Sequence, residues 1–600
     1  MLALAGCHDF EEMNTNPNAP VYDPSVMDCG PEGIDIDYTI SESALESLKA
    51  TESALGSIFF NFTYEGLYND YQTATNLTHD VYAAYNGSNG FLNNSPAYAY
   101  NDGWSAARWK HFYDDRTIAE YSQLIKTFWF CNKEYYHNAF YITRIYYAFL
   151  LSAQTDTYGD IPIQYYVKGA MPPTENVTYT PQKEVYDIIF KLLDQAITGL
   201  HNPPAVDQYS FSAEDDRIYG GKVEPWIRFA NTLRLRLALR VSNVAPEVAR
   251  EQGEKALSDP SGLMKGQEDN MKLIPKRQWI TGGNENIFAL MFSWGASCVL
   301  PKEMEWAYKN QALKEGVDAN VSGFVEKVAR NADEEGTIFG LDATKYNEKE
   351  ANCYLDPRCK ILFFRPSPYD PGIKDDYKAE DPNAEYGGYR NGAKEVGSKY
   401  TVKYSPMKTN LKSDEMLPDC WWNQAREIIW LGYSESLFLR AEAALRGWGN
   451  ETGTAVAGRL YEDGVRASMN YYGIASDKAE EYIDHLKGKE AFEAGGSREE
   501  QLEQIITQKW LAVYPNGNEG WAEVRRTDYP RYLLLPRYGN NSSGEVENTK
   551  LIKRVSYPNS ESRNPNKPAY TQGTKVWWDV ADTMDETGKW KTPDLSLIHI

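Results

Sequence analysis

Trp104 closes a stretch in which aromatic and amide side chains are interleaved, Tyr85 to Trp104 (YNGSNGFLNNSPAYAYNDGW). Side chains of these types suit one chemistry in particular. A flat ring offers its face to the apolar side of a sugar, and Asn side chains serve the hydroxyls around it. Stacking needs ring area held firmly near solvent, which favours Trp and Tyr on loops. Two other segments meet that description: Trp294 to Trp306, inside a loop-rich region, and the pair Trp421-Trp422. The expected ligand contacts are therefore Tyr98, Trp104, Trp294, Trp306 and Trp421. Against them stands the ordinary role of such rings, which is packing inside a loop core.

Bond-breaking chemistry finds less support. Glycoside hydrolysis needs two carboxylates about 5 to 10 Å apart, one of them with a raised pKa. With 85 acidic residues in the chain, pairs such as Glu303 and Glu305 are inevitable and carry no information. No G-x-S-x-G elbow, Walker loop or H-E-x-x-H occurs. The seven His are scattered and no C-x-x-C pair exists, so neither a metal site nor a cofactor is expected. The chain reads as a binder and not as an enzyme.

Charge narrows the partners further. The formal net charge is −23 with a pI near 4.9, and no long basic run occurs, so the surface repels phosphate backbones and nucleic acid is excluded as a partner. No run of 18 apolar residues exists to cross a bilayer as a helix. The 43 Tyr and 16 Trp exceed what core packing requires, since a buried hydroxyl must still find a partner. Seven Cys in 600 residues make no disulfide framework, although Cys353 and Cys359 are close enough in sequence for a small loop-closing bridge.

The elements that must position these rings are mainly helical. Val185, Ile188, Ile189, Leu192, Leu193, Ala196, Ile197 and Leu200 fall on one stripe and predict a helix over Pro181 to Leu200, with Thr180 as its N-cap. Another helix is expected from Pro225 to Val241. Its Arg228, Arg234, Arg236 and Arg240 read as structural groups that snorkel or pair with carboxylates. His137 to Gln154, Glu427 to Arg446, Leu460 to Met469 and Glu500 to Tyr514 complete the helical readings. Stacked hairpins of this kind would build a tetratricopeptide-like superhelix, though no regular 34-residue repeat is visible. Between about 246 and 424, Gly, Pro, Asn and Asp accumulate, and long binding loops are expected there. Trp226, Trp510 and Trp521 sit inside the scaffold and are expected to be buried.

The start, Met1 to Cys7 (MLALAGC), resembles the end of a bacterial lipoprotein signal, with Cys7 as the residue that takes the lipid. Residues 1–7 are read as its remnant, 8–40 as an extended tether and 41–594 as one domain. That domain divides into a helical scaffold (about 41–245 and 425–530), the loop-rich insertion (about 246–424) and an irregular C-terminal part (531–594). Residues 595–600 (LSLIHI) look like translated sequencing-adapter DNA.

Several blocks, in order, resemble the SusD/RagB family of nutrient-binding outer-membrane lipoproteins. They are Asn14 to Pro20 (NTNPNAP), Asp156 to Pro162 (DTYGDIP), Tyr219-Gly-Gly221 and Trp226 to Arg240 (WIRFANTLRLRLALR). Further on come Asp356-Pro-Arg358, Glu435 to Trp448, Tyr461 to Met469, Gln508 to Ala512, Trp521 to Pro530 and Arg554 to Pro558. The resemblance covers roughly residues 7–580. It implies a mainly α fold of tetratricopeptide-like hairpins with long irregular loop insertions and a shallow ligand site. It also implies a lipid anchor on the outer membrane of a Bacteroidetes-like cell, and a SusC-like TonB-dependent transporter as partner. The ligand it implies is an oligosaccharide, or in some members a peptide, captured for import.

Overall fold

A computed structural model of the protein describes residues 33–68, 72–87, 95–172, 176–273, 299–317, 346–366, 426–486, 497–530, 540–547 and 550–580. Residues 381, 383–389, 391, 404–408, 421, 532–533 and 536 are described as well. Cys7, Trp294, Trp422 and the 595–600 tail lie outside the described residues.

Thirteen described helices have nine residues or more. They are α1 (Glu42–Ala50), α2 (Leu55–Tyr68), α3 (Thr117–Asn132), α4 (His137–Tyr158), α5 (Gln182–His201), α6 (Val223–Arg240) and α7 (Pro246–Ser258). After these come α8 (Lys302–Asn310), α9 (Tyr433–Arg446), α10 (Thr454–Tyr471), α11 (Ser476–Asp484), α12 (Arg498–Val513) and α13 (Gly517–Thr527). Sequential helices pack as neighbours: α2 on α3, α3 on α4, α4 on α5, α6 on α7, then α9 on α10 and α10 on α11. The fold is mainly α and built from tetratricopeptide-like helical hairpins, as the family resemblance implies.

The stripe on α5 is buried along its whole length, from Val185 to Leu200. Its start differs by one residue from the expectation. Thr180 exchanges backbone hydrogen bonds with Ile161 (2.9 and 3.1 Å) and is thereby committed to a bridge, leaving Pro181 at the N-cap. The cap bond comes from elsewhere, as Asp160 Oδ1 accepts the Gln182 N–H at 2.9 Å. Helix α4 is buried nearly all round, which marks it as the central helix of its half. It stops at Gly159, whose φ of 84° favours glycine; a Cβ there would stand 2.7 Å from Arg554 Nη1.

Three expectations need correction. The segment before α9 is a strand, β2 (Ile428–Leu431), paired antiparallel with β1 (Met271–Leu273); the run Ile-Ile-Trp-Leu prefers the pleated backbone. The scaffold continues past residue 245, because α7 is a regular helix on α6 with Pro246 at its first turn. Finally, the end of the expected tether is docked: Ile34, Ile36 and Tyr38 alternate into the core, and Lys168 Nζ lies 2.9 Å from Asp37.

Cys353 and Cys359 are free thiols, so the loop-closing bridge does not form. The backbone of Cys353 bridges to Leu313, while Cys359 sits on the short helix Pro357–Leu362 with its side chain in the core. Burial pushes the Cys353 thiol up to about 11, which leaves it little thiolate character.

The arginines of α6 are paired, as their position beside an apolar stripe predicts. Arg228 binds Asp269 and Arg234 binds Asp194, each at 2.6 Å. Arg236 reaches across to Glu435 on α9, and Arg240 to Glu519 on α13 at 2.5 Å. Lys509 on α12 meets the same Glu519 at 2.6 Å, and Arg526 meets Glu523 at 2.6 Å and Glu442 at 2.8 Å. The buried pairs Arg236–Glu435 and Arg240–Glu519 join the helices before the loop-rich insertion to those after it. Trp226, Trp510 and Trp521 are buried among them.

Candidate functional site

Trp104 lies on the one-turn helix Asp102–Ser105, with 36% of its surface exposed. The turn is held from both sides. The Asn101 carbonyl accepts N–H bonds from Trp104 (3.0 Å) and Ser105 (2.6 Å). Asp102 Oδ1 accepts two donors at 2.8 Å, the Tyr100 hydroxyl and the backbone N–H of Asn559. The preceding residues are tied to the same C-terminal segment: Asn541 N–H donates to the Ala97 carbonyl at 2.6 Å, and Gln572 Nε2 to the Tyr98 carbonyl at 3.1 Å. A ring near solvent is thus carried on backbone with few free torsions. Half-buried Asn101, Asp102 and Tyr100 stand beside it in sequence, supplying acceptors and donors. Burial and the Asp102 carboxylate raise the Tyr100 hydroxyl above its ordinary value, so it remains a donor at physiological pH.

Tyr98 is placed differently from the expectation. It takes a positive φ of 63°, and its ring turns inward to meet Tyr82 edge-on at 6.0 Å. Tyr82 in turn lies 5.1 Å from Trp521, so Tyr98 is part of the packing beneath the Trp104 segment. Burial pushes its hydroxyl well up from 10.

Trp306 is also buried, on α8. It stacks on Tyr346 with centroids 4.6 Å apart, and Lys302 Nζ lies 5.5 Å from its ring. Trp421 is half-buried against Tyr472 (4.9 Å) and Tyr471 (5.2 Å), and the Arg426 guanidinium covers its ring at 3.8 Å. The rings of Tyr98 and Trp306 are therefore enclosed by protein, and Trp421 presents a partly covered one. Trp294 lies outside the described residues, as do residues 88–94 of the Asn-rich stretch. Sequence reasoning overlooked Tyr135, an exposed ring in the α3–α4 turn that meets Tyr136 and Tyr209 edge-on at 4.9 and 6.1 Å. Its signal was the Asn-Lys-Glu-Tyr-Tyr run between two strong helices.

The acidic groups are engaged structurally. Glu305 takes Lys302 at 2.9 Å, Lys309 at 2.8 Å and the Gly388 N–H at 2.7 Å. Burial raises Asp156 and Asp216, but each is buried and hydrogen-bonded: Asp156 to Tyr186 and Trp578, Asp216 to Trp226 and to backbone N–H groups. Among the described residues no group of three His, Cys, Asp or Glu is arranged to hold a metal, and no helix is long and apolar enough to cross a membrane.

No curated protein matches the chain. Solved structures do. A chitin-binding SusD homolog from Flavobacterium johnsoniae is 26% identical, with a TM-score of 0.65 over 88% of this chain and 98% of that one. SusD homologs from Bacteroides vulgatus and Parabacteroides distasonis are each 24% identical with TM-scores of 0.67, over 90% and 88% of this chain and 100% and 98% of theirs, and so share its fold. The family model described as "Susd and RagB outer membrane lipoprotein" matches residues 36–354 and 350–587. Those two spans take in nearly all of the helical scaffold, the Trp104 turn and the C-terminal segment that holds it, and on that ground the chain belongs to the SusD-like family of outer membrane lipoproteins.

Proposed function

We propose that the chain captures an oligosaccharide at the cell surface and delivers it to a SusC-like TonB-dependent transporter, without cleaving it. The observation that carries this reading is the exposed Trp104 ring on a turn fixed by Asn101, Asp102 and the C-terminal segment. A ring fixed in this way stacks on a sugar at little cost in conformational entropy. Asn101, Asp102 and Tyr100 are the polar groups for its hydroxyls. In this reading Tyr98 supports the surface from below, and Trp306 packs within the scaffold. Trp421 would need Arg426 to swing aside before offering its covered face.

The chitin-binding relative supports a glycan over a peptide, and the family supports a binding role. Cys7 is proposed as the lipidated residue that keeps the protein at the outer membrane. Binding of a glycan panel and a peptide panel tests the ligand class. Saturable glycan binding without new reducing ends supports the reading; binding of peptides alone, or release of shorter glycans, contradicts it. Mass spectrometry of the membrane-bound protein tests the anchor, with diacylglycerol on Cys7 as the expected result. Co-purification with a SusC-like barrel tests the partner.

A further inference from the structure

Among the described residues two aromatic rings are exposed, Trp104 at 36% and Tyr135 at 39%. Tyr135 lies in the turn between α3 and α4, and that turn is stitched to the chain ahead of α6. The Tyr135 N–H donates to Asn132 Oδ1 at 3.1 Å, and its carbonyl accepts the Tyr209 N–H at 2.8 Å. Gln208 clamps the same junction. Its Nε2 donates to the carbonyls of Glu134 (2.9 Å) and Val206 (3.2 Å), and its Oε1 accepts the Asn138 N–H at 3.3 Å. Val206, an exposed apolar side chain, is thereby drawn to the edge of the Tyr135 turn.

Tyr209 completes the surface. Its half-buried ring packs against Tyr136 at 5.2 Å and Phe211 at 5.4 Å, which fixes its orientation. Burial, with Asp215 and Tyr135 close by, pushes its hydroxyl up to about 12, so the group stays protonated and able to donate. Neither this hydroxyl nor that of Tyr135 has a hydrogen-bond partner among the described residues. The result is two firmly held rings with free polar edges, the same provision as at Trp104. Around them Asn132, Lys133, Glu134 and Asp207 are exposed. The centre of a protein–protein contact is depleted in charged groups, so this setting suits a hydroxyl-rich ligand better than a protein.

The two surfaces lie at opposite ends of α4. At its last residue, the Tyr158 hydroxyl donates to the Ser105 carbonyl in the Trp104 turn at 3.4 Å, whereas Tyr135 stands just ahead of its first residue, His137. At about 1.5 Å per residue, the 22 residues of α4 put the surfaces on the order of 30 Å apart.

We propose that Tyr135 and Tyr209 form a second carbohydrate contact, which takes a distant stretch of the same polysaccharide chain that Trp104 holds. This rests on the glycan reading above. Once one stretch is bound, the other meets its site at a high effective concentration, so two modest contacts retain a long chain firmly. A short oligosaccharide reaches only one of them.

Titration calorimetry with the tetrasaccharide and the soluble polymer of whichever glycan the panel selects tests the proposal. The wild type should bind the polymer at least about tenfold more tightly than the tetrasaccharide. Tyr135→Ala should cut that advantage by about fivefold or more, and Tyr135→Phe, which keeps the ring, should preserve it. An undiminished advantage in Tyr135→Ala overturns the inference and leaves the glycan reading standing. Loss of a co-purifying protein as the sole effect of Tyr135→Ala also overturns it, and assigns the face to a protein. Failure of every glycan to bind the wild type overturns both readings.

Discussion

Arg236 grips Glu435 with two parallel bonds, Nε to Oε1 at 2.8 Å and Nη2 to Oε2 at 2.6 Å, although the two residues are 199 apart in sequence. The pair crosses from α6 to α9 and so closes the scaffold around the loop-rich insertion. Its forked geometry is the strong form of a carboxylate–guanidinium bond. Glu435→Ala leaves the buried Arg236 with Glu519 at 3.4 Å in place of its forked partner, and the expected loss of stability is about 3 kcal/mol, read from urea midpoints. The double replacement Arg236→Met with Glu435→Leu removes both charges and should recover most of that loss. A double variant as unstable as the single one would show that the pair's charge is not what matters.

Glu442 sets a second test. Burial pushes its carboxyl up, but Arg526 and Arg446, at 2.8 Å each, more than offset this and hold it at about 2. An unfolded glutamate titrates at about 4.3. Because the folded value is the lower one, this stabilisation is complete above about pH 5 and drains away as the pH falls toward 2. It amounts to something on the order of 3 kcal/mol. Stability measured across that window should fall less steeply in Glu442→Gln than in the wild type; equal slopes would rule out the assignment.

Gly464 on α10 faces the ring of Phe438 on α9, and a Cβ there would stand 2.8 Å from two ring carbons. Alanine is the better helix former by about 1 kcal/mol, yet crowding a buried aromatic costs about 1–3 kcal/mol. The ring is fully buried and has no room to yield, so crowding should win. Gly464→Ala is expected to lower the Tm, and an unchanged or raised Tm would show the hairpin to be looser than described.

The helical frame was legible because helix periodicity is local. The α5 stripe needs only residues 185 to 200 to be seen, and the arginines of α6 announce by their setting that they require carboxylates. Which carboxylates they find was not legible, since Glu435 and Glu519 lie some 200 to 280 residues further on. The candidate site was half legible for a related reason. Tyr98 and Trp104 share one Tyr-rich stretch, but a single positive φ turns one ring inward while the other stays out. Composition records that rings are plentiful; it does not record which way the backbone turns them. Cys353 and Cys359 illustrate the same limit, because a separation of six residues permits a bridge but does not record that one thiol belongs to a strand-like bridge and the other to a helix in the core.

Trp306 and Trp104 should separate in stability measurements. Trp306 is buried against Tyr346, and Trp306→Ala should cost about 3–5 kcal/mol. Trp104 is exposed, and Trp104→Ala should stay within about 0.5–1 kcal/mol of the wild type. Urea denaturation of both variants checks this, and equal losses would place Trp104 in the core.

Titration calorimetry of a bound glycan against the wild type and Trp104→Ala, with reducing ends assayed in the same samples, probes the proposed role most directly. The expected result is at least a tenfold loss of affinity in the variant, about 1.4 kcal/mol, with no new reducing ends in either sample. Undiminished affinity, or sugar chains shortened by the wild type, would contradict it.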